Sequence, residues 1–183
     1  MIEGVDRSGK DTQIDMLIDA IPNSMRYSFP NEQLESGKRC RSYVNGELKL
    51  GLEESHLLFV LNRRESIPQI DSYLNEGKNV ICSRYSYSGI AYSVAKGLDY
   101  QWCKDQEKDI LEPDLVIYLD VDPSIASGRN GYGVDTHEVL SFQRQVYESY
   151  ARLWNDLRIN LLSIDGHQSM IDIHDQILRA TQL

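Results

Sequence analysis

A glycine-rich segment near the amino terminus has the composition of a phosphate-binding loop. Gly4, Gly9 and Lys10 fit the pattern G-x-x-x-x-G-K, directly after a short apolar start and before a segment of helical period. Glycines let the backbone approach phosphates, the helix amino terminus adds positive potential, and the lysine reaches the outer phosphates. The alternative is a glycine-rich turn with an unrelated lysine. The predicted nucleotide-binding residues are Gly4, Asp6, Arg7, Ser8, Gly9, Lys10, Asp11 and Thr12.

One position of this loop departs from the pattern. The residue after the lysine is ordinarily Ser or Thr, whose hydroxyl binds magnesium, but here it is Asp11. Thr12 follows, yet one residue further along a helix its side chain points about 100° away, so it does not simply replace the hydroxyl. A carboxylate therefore stands where the loop usually offers a hydroxyl to the metal.

A second group of candidate residues shares one face of a predicted helix. Phe59, Asn62 and Arg63 fall at positions i, i+3 and i+4. An aromatic ring beside a guanidinium is suited to reading a nucleobase, since Phe59 can stack on a pyrimidine and Arg63 can donate to a carbonyl oxygen. A core phenylalanine beside a surface arginine is the alternative interpretation.

Arg84 directly follows the predicted strand 79–83 and so lies at its carboxyl end. Ligands of open α/β sheets bind at the carboxyl ends of the strands. This position suits an arginine that binds the phosphate of a monophosphate substrate, although a purely structural arginine is also compatible with the pattern.

Short apolar runs alternate with longer segments of helical period, which is typical of an α/β protein with a parallel sheet. Pro68 is expected to kink or break the second helix, and the glycine-rich stretch 128–135 reads as a loop or lid, which we extend to about residue 138. Strands are predicted at Met1–Ile2, Met25–Phe29, Asn79–Ser83, Leu115–Asp120 and Leu161–Ile164. Helices are predicted at Lys10–Ala20, Glu53–Asn75, Tyr85–Ala95, His137–Asn155 and Met170–Ala180.

Length and composition favour one globular domain over residues 1–183, with 41% hydrophobic and 26% charged residues. The formal charge of −9 argues against a surface that binds nucleic acid. No apolar run reaches the roughly 18 residues of a membrane span. The three cysteines are scattered, with neither disulfide nor metal-ligand spacing. We therefore expect a cytoplasmic protein without nucleic-acid or membrane partners.

In six segments the chain resembles thymidylate kinases over nearly its whole length. They are GVDRSGKDTQ (4–13), Phe29-Pro30, HLLFVLNRRE (56–65), SRYSYSGIAYSVAKG (83–97), EPDLVIYLD (112–120) and the lid region from Arg129 through Phe142-Gln143. The resemblance implies a three-layer P-loop kinase fold with a five-stranded parallel sheet. It also implies a homodimer that transfers a phosphoryl group from ATP to dTMP with Mg²⁺.

The resemblance also assigns roles to individual residues. Asp6 would contact the nucleoside 3′-hydroxyl, and Arg7 would serve phosphoryl transfer, as in the eukaryotic-type enzymes. Tyr92 would stand where a 2′-hydroxyl would collide, and Arg129 would lie beside the adenine. Catalysis is thereby assigned to Arg7, Lys10 and Arg84, and substrate binding to Asp6, Phe29, Phe59, Arg63, Arg84, Ser88, Tyr92, His137 and Gln143.

Two positions lack an arginine that the family pattern expects. In the lid, the Arg-aromatic-Glu triplet reads Thr136-His137-Glu138, which places more weight on Arg7. The Phe-Pro-x-Arg segment reads Phe29-Pro30-Asn31-Glu32. A carboxylate facing a phosphate is repulsive, so Glu32 must either turn away or weaken substrate binding.

Two other positions have traded residue types. The family has a hydroxyl after the loop lysine and an Asp before the strand-end arginine, whereas this chain has Asp11 and Ser83. In P-loop enzymes these positions meet at the magnesium ion. The exchange keeps one carboxylate and one hydroxyl there, so retained activity is the favoured interpretation, with Asp11 and Ser83 at Mg²⁺. Two independent losses in a decaying enzyme are the alternative.

Two other functions remain compatible with the sequence. One is a kinase for another pyrimidine nucleotide or deoxynucleoside. The other is a catalytically weak nucleotide-binding homologue, for which the departures at Asp11, Glu32, Ser83 and Thr136 would be the evidence. The first strand also looks short for a central strand, which predicts limited stability or a native start upstream of Met1.

Overall fold

Five parallel strands form a sheet at the centre of the protein, whose computed structural model describes residues 1–129, 132–133 and 136–181. The strands lie in the order β2-β3-β1-β4-β5. Each starts and ends within one residue of its prediction, so the predicted parallel sheet is confirmed. The strands are β1 (Ile2–Glu3), β2 (Ser24–Ser28), β3 (Asn79–Ser83), β4 (Val116–Asp120) and β5 (Leu161–Asp165).

Helices cover both faces of this sheet and complete the three-layer P-loop kinase fold. Two of the predicted helices, at residues 10–20 and 170–180, have the expected boundaries, whereas the one predicted from His137 begins at Leu140. The sequence pattern missed three helices, at residues 35–44, 100–107 and 123–126. In the described residues the helices are α1 (Lys10–Ala20), α2 (Glu35–Val44), α3 (Leu52–Asn75), α4 (Ser86–Ala95), α5 (Tyr100–Glu107), α6 (Pro123–Ala126), α7 (Leu140–Asp156) and α8 (Met170–Ala180).

The residues of β4 show how the layers are built. Successive strand residues point to opposite faces. Tyr118 packs against Tyr150 of α7 with ring centroids 5.2 Å apart, on one face. Leu119 belongs to the buried cluster that contains Ile14 of α1 and Ile177 of α8, on the other face. The strand is therefore buried on both sides, as expected for a parallel sheet.

Pro68 is predicted to kink or break the second helix, but α3 runs from Leu52 to Asn75 with the proline inside it, so the helix is not broken there. A proline removes one helical hydrogen bond and crowds the preceding turn. Here the helix buries residues on both sides of the proline, among them Arg63, Ser66 and Ile70. Packing of this buried face outweighs the local loss, which sequence alone does not reveal.

The order of the strands brings the candidate segments together at the carboxyl edge of the sheet. β1 lies between β3 and β4, with Ile2 opposite Ser83 and Ile117. The backbone N–H of Arg84 donates to the carbonyl oxygen of Ile2 at 3.1 Å. The loop that follows β1 and the arginine that follows β3 therefore leave the sheet side by side.

Candidate active site

The segment 4–9 forms a tight loop that ends at the first residue of α1. Gly4 and Gly9 have φ angles of 148° and 100°, which L side chains rarely adopt. A Cβ at Gly4 would lie 2.7 Å from Ser8 Oγ and 2.9 Å from the carbonyl oxygen of Leu119. Glycine is required at this position for both reasons, as expected for a loop that wraps around phosphates.

Lys10 lies inside this loop. Its ammonium group donates to the carbonyl oxygens of Gly4 at 3.0 Å and Val5 at 2.6 Å, and to Ser8 Oγ at 3.1 Å. Burial and the nearby charge of Arg84 lower the pKa of Lys10 to about 7. A polyanion bound in the loop would favour the charged ammonium and raise this pKa, so the site is suited to phosphate.

Asp6 connects the loop to Arg84 and to α7. Its carboxylate accepts hydrogen bonds from Arg84 Nη2 and, at 2.6 Å, from Gln143 Nε2. Burial raises the pKa of Asp6, but the charges of Arg84 and Lys10 together hold it below its usual value. Asp6 is therefore an ionised acceptor, and Arg84 also lies 5.1 Å above the ring of Tyr92. Gln143 is therefore connected to the site by its hydrogen bond to the Asp6 carboxylate.

Two arginines of the site have a left-handed backbone. The φ angles of Arg7 and Arg84 are 60° and 61°. Such conformations cost a non-glycine residue of order 1 kcal/mol or more, and they concentrate at functional sites. Arg7 lies inside the phosphate loop and Arg84 directly follows β3 beside it, which is consistent with a role in phosphate binding.

The two exchanged positions meet in the structure. Ser83 Oγ donates to Asp11 Oδ1 at 3.3 Å across the gap between β3 and α1. The same carboxylate oxygen accepts from Arg26 Nη2 at 2.7 Å. Arg26, on the edge strand β2, also pairs with Asp15 one turn further along α1. The proximity of Asp11 and Ser83 was predicted from the sequence, whereas no sequence pattern indicated Arg26.

A cavity of about 430 Å³ opens in front of these residues. This volume is in the range of small-molecule sites. Of the predicted substrate and metal residues, it is lined by Asp6, Asp11, Phe29, Phe59, Arg63, Ser83, Arg84, Ser88, Tyr92 and His137. The predicted residues outside its lining are Gly4, Arg7, Ser8, Gly9, Lys10, Thr12, Arg129 and Gln143.

The aromatic rings of Phe59, Tyr92 and His137 form one wall of this cavity, and Tyr43, which is not a lining residue, lies next to two of them. The ring of His137 lies 5.9 Å from Tyr92 and 6.4 Å from Tyr43, and Tyr43 lies 6.4 Å from Phe59. Burial, assisted by the charge of Lys96, lowers the pKa of His137 to about 4. The imidazole is therefore neutral at pH 7 and acts as a flat ring. Such a wall is suited to a nucleobase.

Arg63 and Ser88 are less available to a ligand than the sequence implied. Arg63 is 2% exposed and forms an ion pair with Glu107 through its Nε and Nη2 atoms. The hydroxyl of Ser88 donates to the buried carboxylate of Glu3 and lies 2.9 Å from the Tyr150 hydroxyl. Both residues line the cavity, but their polar atoms are largely committed to the protein itself.

Arg7 forms an ion pair with a residue of the predicted lid segment. Its Nε donates to Glu138 Oε1 at 2.6 Å. Glu138 also accepts from the backbone N–H of Gly133 at 2.8 Å, so it connects the predicted lid segment to the phosphate loop. Arg129 Nη1 donates to the carbonyl oxygen of Arg7 at 2.6 Å. The predicted lid also includes Asn130, Gly131, Val134 and Asp135, which lie outside the described residues.

Glu32 does not turn away from the cavity, but it is paired with an arginine. Its Oε1 accepts from Arg41 on α2 at 2.8 Å, and 48% of its side chain is exposed. Both residues line the cavity. The pair is neutral overall, so the repulsion expected from an isolated carboxylate is largely offset.

The carboxylate partners of the site arginines could not be predicted from the sequence as the arginines were. Glu138 pairs with Arg7 from 131 residues away, and Glu107 pairs with Arg63 from 44 residues away. The Glu of the lid triplet was a usable signal for the first pair. Glu107 lies on α5, a helix that periodicity did not detect, so no signal identified it.

The donor set is compatible with a magnesium ion that is shared with nucleotide phosphates. Mg²⁺ usually keeps several waters and takes only one or two carboxylates besides the phosphates. Asp11 and Ser83 provide one carboxylate and one hydroxyl beside the phosphate loop. Within the described ranges there is no cluster of three or more His, Cys, Asp or Glu side chains that would hold a metal alone.

No helix of the described part of the chain is long and apolar enough to span a membrane.

Comparisons with known proteins agree with this geometry. The thymidylate kinase family model matches residues 2–177. The thymidylate kinase of Schizosaccharomyces pombe is 38% identical, over 97% of this chain and 88% of that protein. The human thymidylate kinase is 31% identical, over 97% of this chain and 86% of that protein.

The fold has a matching solved structure as well. The thymidylate kinase of Candida albicans superposes with a TM-score of 0.85 at 30% identity, covering 98% of this chain and 88% of that one. The family model, which matches residues 2–177, spans the phosphate loop, the aromatic wall and Arg84. This chain belongs to the thymidylate kinase family.

Proposed function

We propose that this chain transfers the γ-phosphoryl group of ATP to dTMP, giving ADP and dTDP. The observation that carries the proposal is that the phosphate loop and the aromatic cavity share the Asp6–Arg84 ion pair. One side of this pair is suited to a triphosphate and the other to a nucleoside monophosphate. The names of the relatives, thymidylate kinases from several eukaryotes, support the same reaction.

The reaction needs no protein nucleophile. An oxygen of the dTMP phosphate attacks the γ-phosphorus in line, the bond to the β–γ bridging oxygen breaks, and ADP takes the electron pair. Catalysis then consists of holding both phosphates and stabilising charge. Lys10 serves the β- and γ-phosphates, Arg7 the bridging region and Arg84 the phosphate of dTMP. Gly4, Ser8, Gly9 and Thr12 belong to the loop that holds ATP, with Arg129 beside the adenine.

The cavity supplies the recognition of dTMP. Phe59 and His137 are the rings that would face the thymine, and Phe29 lies at the same cavity. A base carbonyl would accept from Arg63 Nη1, because Nε and Nη2 bond to Glu107. Asp6 would accept from the 3′-hydroxyl, with Gln143 as its support. Tyr92 would stand against a 2′-hydroxyl and so favour deoxynucleotides.

Asp11 and Ser83 are the residues that would hold Mg²⁺. When bound, the ion neutralises charge on the β- and γ-phosphates of ATP. Ser83 orients the Asp11 carboxylate through its hydrogen bond at 3.3 Å. This role depends on the hypothesis that the carboxylate of Asp11 and the hydroxyl of Ser83 have exchanged positions and together form one metal site.

We also propose that the protein is a homodimer. Leu57 and Leu61 lie one turn apart on α3 and are 42% and 44% exposed. Exposed apolar side chains on one helix face are suited to a protein interface. Sedimentation equilibrium should give about twice the mass of 21.0 kDa. Replacing both leucines by glutamate should give a monomer, and a monomeric parent protein would contradict the proposal.

A coupled assay of dTDP formation tests the proposed function. With ATP and Mg²⁺, we expect turnover with dTMP to exceed turnover with dUMP, dCMP and thymidine. These three alternative substrates separate the base and phosphate requirements, because dUMP lacks the methyl group, dCMP changes the base edge and thymidine lacks the phosphate. Binding of ATP and dTMP without turnover would instead identify a catalytically weak nucleotide-binding homologue. A preference for another substrate would identify a kinase for another pyrimidine nucleotide or for a deoxynucleoside.

A further inference from the structure

Arg26 occupies an unusual position beside the phosphate loop. It lies in the middle of the edge strand β2 and lines the cavity. One of its terminal nitrogens, Nη2, donates to Asp11 Oδ1 at 2.7 Å, and the other, Nη1, pairs with Asp15. A single guanidinium therefore bridges two carboxylates that are one turn apart on α1.

The two carboxylates create an electrostatic problem that Arg26 relieves. Like charges at i and i+4 on a helix repel each other. Asp11 also adds a negative charge where phosphate loops ordinarily present a hydroxyl to the nucleotide. Triphosphate binding at this loop would therefore be opposed by Asp11 unless a positive charge stood close to it.

We propose that Arg26 is a positioning and charge-compensating residue, which neutralises Asp11 so that the phosphates of ATP can approach the loop. Asp15 secures the guanidinium from its far side, while Ser83 Oγ bonds the same Asp11 oxygen at 3.3 Å. The inference rests on the proposed function, because it takes the loop to bind ATP. It adds a residue that neither the loop pattern nor the base-binding face contains.

Exposure argues against a role in stability alone. The side chains of Arg26, Asp11 and Asp15 are 38%, 71% and 67% exposed. Exposed ion pairs contribute little to folding. The same charges still act on a ligand bound next to them, because a triphosphate carries several negative charges.

Equilibrium binding of ATP in the presence of EDTA tests the proposal without requiring turnover. Arg26→Gln should weaken metal-free ATP binding at least about fivefold, because Asp11 loses its compensating charge. Asp11→Asn should tighten it. The double variant Asp11→Asn/Arg26→Gln should return close to the parent affinity, since the pair is then neutral again. Arg26→Lys should retain most of the parent affinity.

A matched control separates this local effect from a change in net charge. Arg64→Gln removes an exposed arginine that lies 3.9 Å from Asp109, and Arg64 is not among the residues that line the cavity. It should leave ATP affinity unchanged. An unchanged affinity in Arg26→Gln, or a double variant as weak as Arg26→Gln, would overturn the inference while dTDP formation by the parent still upheld the proposed function. Failure of the parent protein to bind ATP would overturn both.

Discussion

Asp11→Ser and Ser83→Asp are each expected to lower kcat/KM for dTDP formation by roughly 10- to 100-fold, the scale of losing an oriented metal-site contact. The double variant should recover most of this loss. Asp11→Ser leaves two hydroxyls at the site, and Ser83→Asp leaves two carboxylates. The double variant restores one of each, in the arrangement that the family pattern has.

The structure gives a physical basis for this recovery. Ser83 Oγ and Asp11 Oδ1 are 3.3 Å apart, so the two positions form one site although they are 72 residues apart in sequence. Interacting residues give non-additive effects in a double-mutant cycle, whereas independent residues do not. Recovery would therefore show that the carboxylate and the hydroxyl have exchanged roles.

The measurement is steady-state kinetics over a magnesium titration for the parent, both single variants and the double variant. Asp19→Ser is a matched control, because it removes an exposed carboxylate from the same helix away from the cavity. It should keep parental kinetics. Additive effects of Asp11→Ser and Ser83→Asp, or a harmless Asp11→Ser, would contradict the exchange and favour two independent losses.

The parts of the fold that periodicity could predict are those with strong local patterns. The β4 segment is apolar on both faces, and α8 carries an apolar stripe between Met170 and Ala180, so both were placed closely. The helix α5 was missed because its eight residues bury only Tyr100, Cys103 and Glu107. At Pro68 the local chemistry predicted an interruption, but tertiary packing keeps α3 continuous through the proline.

For the site, the sequence predicted which residues take part better than it predicted the residues that they pair with. Gly4 and Lys10 follow from backbone requirements that a motif records directly. Arg84 follows from its place at the end of a strand. The partner of each cation depends instead on which distant elements the fold brings together, as in Arg7–Glu138 and Arg26–Asp11. Spacing along one helix identifies a face, but it does not say what packs against that face.

The buried pair Arg63–Glu107 should give the largest stability effect in the protein. Glu107→Leu is expected to lower the free energy of unfolding by about 3–5 kcal/mol, because it leaves the Arg63 guanidinium buried and unpaired. The two side chains are only 2% and 4% exposed. A Cβ at Gly89 would overlap both Arg63 Nη2 and Glu107 Oε1, so the pair is also closely enclosed.

Removing both charges separates the structural role of this pair from its role toward substrate. Buried ion pairs replaced by apolar residues of similar volume are often neutral in stability, so Arg63→Met/Glu107→Leu should recover most of the unfolding free energy in urea denaturation. The KM of this double variant for dTMP should nevertheless exceed that of the parent by roughly 10-fold or more, which is the scale of one hydrogen bond to a charged group. Its KM for ATP should be unchanged. Arg64→Met at the exposed Asp109 pair is the control, with about 0–1 kcal/mol expected. Should the double variant be stable and bind dTMP normally, Arg63 would have only a structural role, and base recognition would lie with Phe59 and the aromatic wall.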